Sequence, residues 1–104
     1  MPALPTDLAD RIARRFRSLA EPVRLQLLYA LLPGERNVGE LVEATGGLQA
    51  NVSKHLQLLH QEGVVTRRKE GTSIYYQIAD PMIFDLCASV CDGLGITLPR
   101  AKRR

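Results

Sequence analysis

Apolar residues recur at helical spacing through the first part of the chain. Ile12, Phe16 and Leu19 share one face while Arg11, Arg14, Arg15 and Arg17 fill the others, which predicts an amphipathic helix over residues 7–18. A second periodic run of Val23, Leu25, Leu27, Leu28, Leu31 and Leu32 opens at Pro22, whose missing N–H costs nothing in a first turn. Pro33 and Gly34 close it. Asn37 stands at the N-cap of a short helix carrying Val38, Leu41 and Val42, with Glu40 three residues on in the capping-box position. Thr45, Gly46 and Gly47 end that helix, and another runs from Gln49 to Gln61 with Val52, Leu56 and Leu59 on one stripe and Gly63 terminating it.

After Gly63 the period changes. Val64, Val65 and Thr66 read as strand, Arg67 to Gly71 as a charged turn, and Ile74, Tyr75, Tyr76 and Ile78 as the returning strand. A last helix spans residues 81–93, with Asp80 as cap and Pro81 in the first turn. Its apolar band of Ile83, Leu86, Cys87, Val90, Cys91 and Leu94 is wider than a small monomer needs, which makes the first and last helices candidates for a dimer seam. The order α-α-α-α-β-β-α describes a mainly α chain with a β-hairpin wing, a winged helix-turn-helix. With no internal repeat and no long linker, residues 1–104 are expected to form one domain with short flexible termini.

Charge sharpens the picture only slightly. The 104 residues hold 14 Lys and Arg against 11 Asp and Glu, a net charge of +3, and the 45% hydrophobic content suffices for a single core. Basic residues cluster in the first helix, at Arg67, Arg68 and Lys69, and at Arg100, Lys102, Arg103 and Arg104, where the alternatives are phosphate contact and a solvated tail. No stretch approaches the roughly 18 apolar residues of a membrane span, and the acidic N-terminus lacks a signal pattern, so a cytoplasmic protein without membrane contact is expected.

A helix enters the DNA major groove when one face offers short polar side chains and the other is anchored to its own fold. The segment from Gln49 divides this way: Val52, Leu56 and Leu59 face inward, leaving Gln49, Ala50, Ser53, Lys54 and Gln57 outside. Gln49 suits bidentate bonding to adenine, Ala50 a thymine methyl, and Ser53 and Lys54 base edges or phosphate. Asn51 and His55 lie between the faces. Asn51 is a phosphate candidate; for His55 phosphate donation and a partly buried structural role both stay open. The wing residues Arg67, Arg68, Lys69 and Thr72 would add largely sequence-neutral phosphate contacts. A dimer would set two such helices roughly 34 Å apart on double-stranded DNA and read an imperfect inverted repeat. Enzymatic chemistry finds no seat, because His55 and His60 both sit on the recognition helix and no Gly-rich phosphate cradle precedes a helix. A protein-interaction module without DNA binding is the remaining alternative.

Three stretches resemble the ArsR/SmtB family of bacterial repressors: Ser18-Leu19-Ala20-Glu21-Pro22-Val23-Arg24-Leu25, Gln49-Ala50-Asn51-Val52-Ser53-Lys54-His55-Leu56, and Arg67-Arg68-Lys69-Glu70-Gly71 leading into Tyr75-Tyr76-Gln77-Ile78. The resemblance covers about residues 12–94. It implies a winged-helix homodimer joined through its first and last helices, and a repressor released from its operator by an inducer. Where the family usually has Gly-Leu-Ser-Gln, this chain has Gly46-Gly47-Leu48-Gln49 and loses the Ser cap. Two outcomes are open there: Leu48 rotates into the vacated apolar site, or the helix start is displaced.

Family relatives with a cysteine cluster in the third helix find no counterpart in Asn37-Val38-Gly39-Glu40-Leu41. The family's zinc site between its last helices is represented only by Asp80, with Met82, Gly93 and Ile96 where other ligands would fall. Cys87 and Cys91 remain, four residues apart on one helical face. Three readings stay open: a site for arsenite or another thiophilic ion, a redox or persulfide sensor, and small apolar core residues.

Overall fold

Helix α1 (Thr6–Leu19) leads into α2 (Pro22–Leu31), α3 (Val38–Thr45) and α4 (Gln49–Gln61), followed by strands β2 (Val65–Glu70) and β3 (Ser73–Ile78) and by α5 (Met82–Leu94). A two-residue strand β1 (Arg36–Asn37) precedes α3. The structure is a computed structural model that describes residues 3–97, so the basic cluster at Arg100, Lys102, Arg103 and Arg104 lies outside the described residues.

The mainly α order with a β-hairpin is the one the periodicity predicts. Local chemistry explains most boundaries. Asn37 Oδ1 accepts from Glu40 N at 2.8 Å while Glu40 Oε1 accepts from Asn37 N at 2.9 Å, the full capping box. Glu21, which the sequence did not flag as a cap, accepts from Arg24 N and starts α2 just before Pro22. Past α4, Val64 N donates to Leu59 O across Gly63, which takes a left-handed φ of 74°. Asp80 Oδ1 accepts from Met82 N at 2.9 Å and so serves the start of α5.

The hairpin differs from expectation in one respect. Arg67, Arg68, Lys69 and Glu70 are strand, not turn: they pair with Tyr76, Tyr75, Ile74 and Ser73, and only Gly71 and Thr72 connect the strands. Backbone pairing with the aromatic strand overrides the charged composition, because long basic stems lie well over aromatic neighbours. The sheet order is β1-β3-β2, antiparallel throughout, with Arg36 opposite Tyr76 and Asn37 opposite Tyr75.

The core gathers Leu27, Leu28 and Leu31 of α2, Leu41 of α3, Val52, Leu56 and Leu59 of α4, Val64 and Val65, Tyr76 and Ile83, all almost inaccessible. Each fully buried aliphatic side chain contributes about 1.5–3 kcal/mol, so α4 is held by its leucine stripe against α2 and α3. The outer helices are different. Leu8, Ile12 and Phe16 of α1 and Val90 and Leu94 of α5 are exposed in the single chain.

Polar side chains tie α1 to the body. Arg14 forms a bidentate pair with Glu62 at 2.8 Å for both bonds, and Arg15 donates to the Glu62 carbonyl at 3.1 Å and approaches Asp80 at 3.5 Å. Arg24 reaches back from α2 to the carbonyls of Arg17 and Ser18 at the end of α1.

Candidate nucleic-acid interface

The turn before α4 is shaped by two glycines. Gly46 ends α3 with a left-handed φ of 71°, and a Cβ on Gly47 would lie 3.0 Å from Val52 Cγ2, so a larger residue there would make Val52 give by a few tenths of an ångström. Helix α4 then begins at Gln49, unshifted. Leu48 has not turned inward: it is 80% exposed, in extended conformation, and supplies no side-chain cap. Neither outcome anticipated for Leu48 therefore occurs.

Along α4, Gln49, Ala50, Asn51, Lys54 and Gln57 are exposed and Ser53 is half-buried, while Val52, Leu56 and Leu59 are covered. His55 stands apart from this outward set. Its side chain is only 14% exposed, its Nδ1 accepts from Arg24 Nε at 3.3 Å, and Glu21 Oε2 lies 3.7 Å from the same nitrogen. Glu21 ionises more readily than an ordinary carboxyl: burial opposes its charge, but the backbone N–H groups of Arg24 and Val23 outweigh that opposition.

On the wing, residues alternate between two faces. Val65 and Tyr76 are buried, so Arg67 and Lys69 share the helix-side face of the sheet, whereas Arg68 and Tyr75 share the other. Arg67 and Lys69 make no ion pair among the described residues. Thr72 is exposed at the turn. Arg68 is engaged: Nε and Nη2 donate to the two oxygens of Glu35 at 2.8 and 2.7 Å, Nη1 donates to Glu70 at 3.0 Å, and Cζ sits 4.5 Å from the centre of the Tyr75 ring. The hydrogen bonds from Arg68 hold the Glu35 carboxyl below the usual range, and Arg68 itself is driven further towards its charged form.

Cys87 and Cys91 are unlinked and half-buried on α5, Cys87 packing against the core. Burial, followed by the neighbouring Cys91, pushes the Cys87 thiol up. Among the described residues no group of three or more His, Cys, Asp or Glu is placed to hold a metal ion. Asp80 is occupied with the first turn of α5 and with Arg15.

Sequence reasoning missed Glu21, Arg24 and Glu35, which fix the ends of the recognition helix support and the wing. Glu21 and Arg24 lie within one of the family-like stretches, but the His55 they both approach is remote in sequence, and Glu35 is separated from Arg68 by 33 positions.

Residues 21–67 match the family described as bacterial regulatory protein, arsR family. A probable mercury resistance operon repressor of Streptomyces lividans is 43% identical over 83 residues, covering 80% of this chain and 66% of that relative, just under two thirds of its length. The crystal structure of Rv0081 of Mycobacterium tuberculosis superposes with a TM-score of 0.77 at 35% identity, over 89% of this chain and 92% of that one. The homodimeric winged helix-turn-helix DNA-binding domain Mb0332 of Mycobacterium bovis, solved as fragment 1-100, gives a TM-score of 0.75 at 38% identity, over 88% and 91% of the two chains. This chain belongs to the arsR family of bacterial regulatory proteins. It is thereby placed among winged helix-turn-helix, DNA-binding transcriptional regulators, and not among enzymes.

Proposed function

We propose that the protein is a dimeric repressor that reads an imperfect inverted repeat in double-stranded DNA and leaves it when a thiophilic ion binds. The observation carrying the DNA reading is the division of α4: a leucine stripe sealed into the core and an exposed row of Gln49, Ala50, Asn51, Lys54 and Gln57 beside a wing bearing Arg67 and Lys69. Gln49 and Ala50 open the helix where base edges are met first, Ser53 borders them, and the wing cations supply phosphate contacts. The homodimeric Mycobacterium bovis domain and the exposed Ile12, Phe16, Val90 and Leu94 support pairing through α1 and α5. No described helix is long and apolar enough to cross a membrane.

For the inducer, a soft ion of the arsenite or mercuric class fits Cys87 and Cys91 better than an oxidant. One chain offers two sulfurs on one face of α5, and a second copy across the seam supplies further ligands. Burial pushes the Cys87 thiol up and slows its attack on oxidants, and a thiophilic ion that binds there must release the thiol proton. The Streptomyces lividans relative points the same way. Fluorescence anisotropy with a duplex selected by the chain tests this reading. Arsenite or mercuric ion is expected to release the unaltered protein and to leave the Cys87→Ser/Cys91→Ser protein bound; equal behaviour of the two proteins rejects the site.

A further inference from the structure

Arg68 is one of three adjacent basic residues of the wing, and each of its three guanidinium nitrogens already donates a hydrogen bond. It crosses the central strand β3 over the Tyr75 ring and grips Glu35, immediately before the opposite edge strand β1, through two parallel hydrogen bonds of 2.7 and 2.8 Å. Its third nitrogen holds Glu70, the last residue before the hairpin turn. Two carboxylates therefore compensate one cation, and a phosphate could take this arginine only by displacing a bidentate pair.

We infer that Arg68 is a positioning residue for DNA binding and not a phosphate contact: it clasps both edges of the sheet and the hairpin end so that Arg67 and Lys69 are aimed at the duplex. This deepens the DNA-binding reading above and rests on it. A two-stranded ribbon projecting beyond its core is only marginally ordered, and one clasp across three strands lowers the ordering cost of binding. The alternation of the strand completes the division of labour, since Arg67 and Lys69 stand on the face opposite the clasp.

The clasp and the phosphate contact predict opposite signs for a change at Glu35. If Arg68 is a clasp, Glu35→Gln loosens the wing and weakens binding of the full-length chain to its selected duplex, by roughly twofold to tenfold, with the salt slope unchanged. If Arg68 contacts phosphate, Glu35→Gln frees it, so affinity rises and the slope steepens by about 1. Arg68→Lys separates them again: a lysine keeps a point charge for phosphate but cannot reproduce the fork, so the clasp predicts a loss like that of Arg68→Ala. The paired exchange Glu35→Arg/Arg68→Glu, made together with Glu70→Gln so that no second carboxylate faces the new one, should restore much of the affinity, which no phosphate contact at position 68 allows. Amide exchange at Gly71 and Thr72, measured without DNA, should quicken in both single variants and return in the triple variant. Tighter binding by Glu35→Gln, unchanged binding, or no rescue overturns the inference. Absence of salt-dependent duplex binding by the unaltered chain would instead remove the DNA reading itself, and the exchange data would then speak only for wing order.

Discussion

Arg24 Nε donates to His55 Nδ1 at 3.3 Å, joining the start of α2 to the middle of the recognition helix. The same guanidinium holds the carbonyls of Arg17 and Ser18 at the end of α1. One side chain thus fixes three helices. Arg24→Ala should lower stability by roughly 1–3 kcal/mol, since several hydrogen bonds to a charged group are lost. Arg24→Lys should recover little, because a single ammonium cannot serve both sites. Urea denaturation checks this; a lysine variant as stable as the parent would contradict it.

Leu48 occupies a position that calls for a side-chain acceptor. It is extended, 80% exposed and makes no cap bond, so the first amides of α4 lack the partner that Ser or Asp would provide. Leu48→Ser should raise stability by about 1 kcal/mol, seen as a higher Tm. A lower Tm would mean that Leu48 contributes packing that the single chain does not show.

Base readout and phosphate contact are separable at Gln49 and Lys69. Gln49→Ala should cost about 1–3 kcal/mol against one base pair and alter the ranking of duplexes. Lys69→Ala should weaken all duplexes alike and reduce the salt slope by about 1. Competition binding over single-base variants measures both; an unchanged ranking for Gln49→Ala removes its assigned role.

Acid should loosen α1 before it unfolds the core. The hydrogen bonds from Arg14 hold the Glu62 carboxyl below the usual range, against some burial. A depressed carboxylate contributes stability above its unfolded pKa and loses it as pH falls through the lower folded value. Carbon chemical shifts of the Glu62 carboxyl should titrate lower than those of a free glutamate, and Arg14→Ala should return them to the ordinary range.

Cys87 should alkylate slowly at neutral pH. Its raised thiol keeps the reactive thiolate scarce, so iodoacetamide labelling of the Cys91→Ser protein should be slower than that of a free thiol and should accelerate with alkaline pH. Intact-mass kinetics read this directly, and fast neutral labelling would revive the redox reading over the thiophilic one.

Most of the fold was legible because it rests on short-range periodicity. The Leu56 and Leu59 stripe, the Asn37 capping box and the Gly63 terminus all follow from neighbours within a few positions. What escaped depends on distant pairing. A two-residue β1 has no period of its own, and Arg67 to Lys69 become strand only because Tyr75 and Tyr76 lie opposite. The exposed row of α4 was equally visible, but the engagement of Arg68 with Glu35 and of His55 with Arg24 was not, since each joins residues brought together by the finished fold.

Selection of bound duplexes from a random pool, followed by hydroxyl-radical footprinting, tests the central claim most directly. Two copies presenting the Gln49 end of α4 to one side of the helix should enrich an inverted repeat whose half-sites are centred about 10–10.5 base pairs apart, protected on one face. Recovery of unrelated sequences with no symmetric protection would contradict the account.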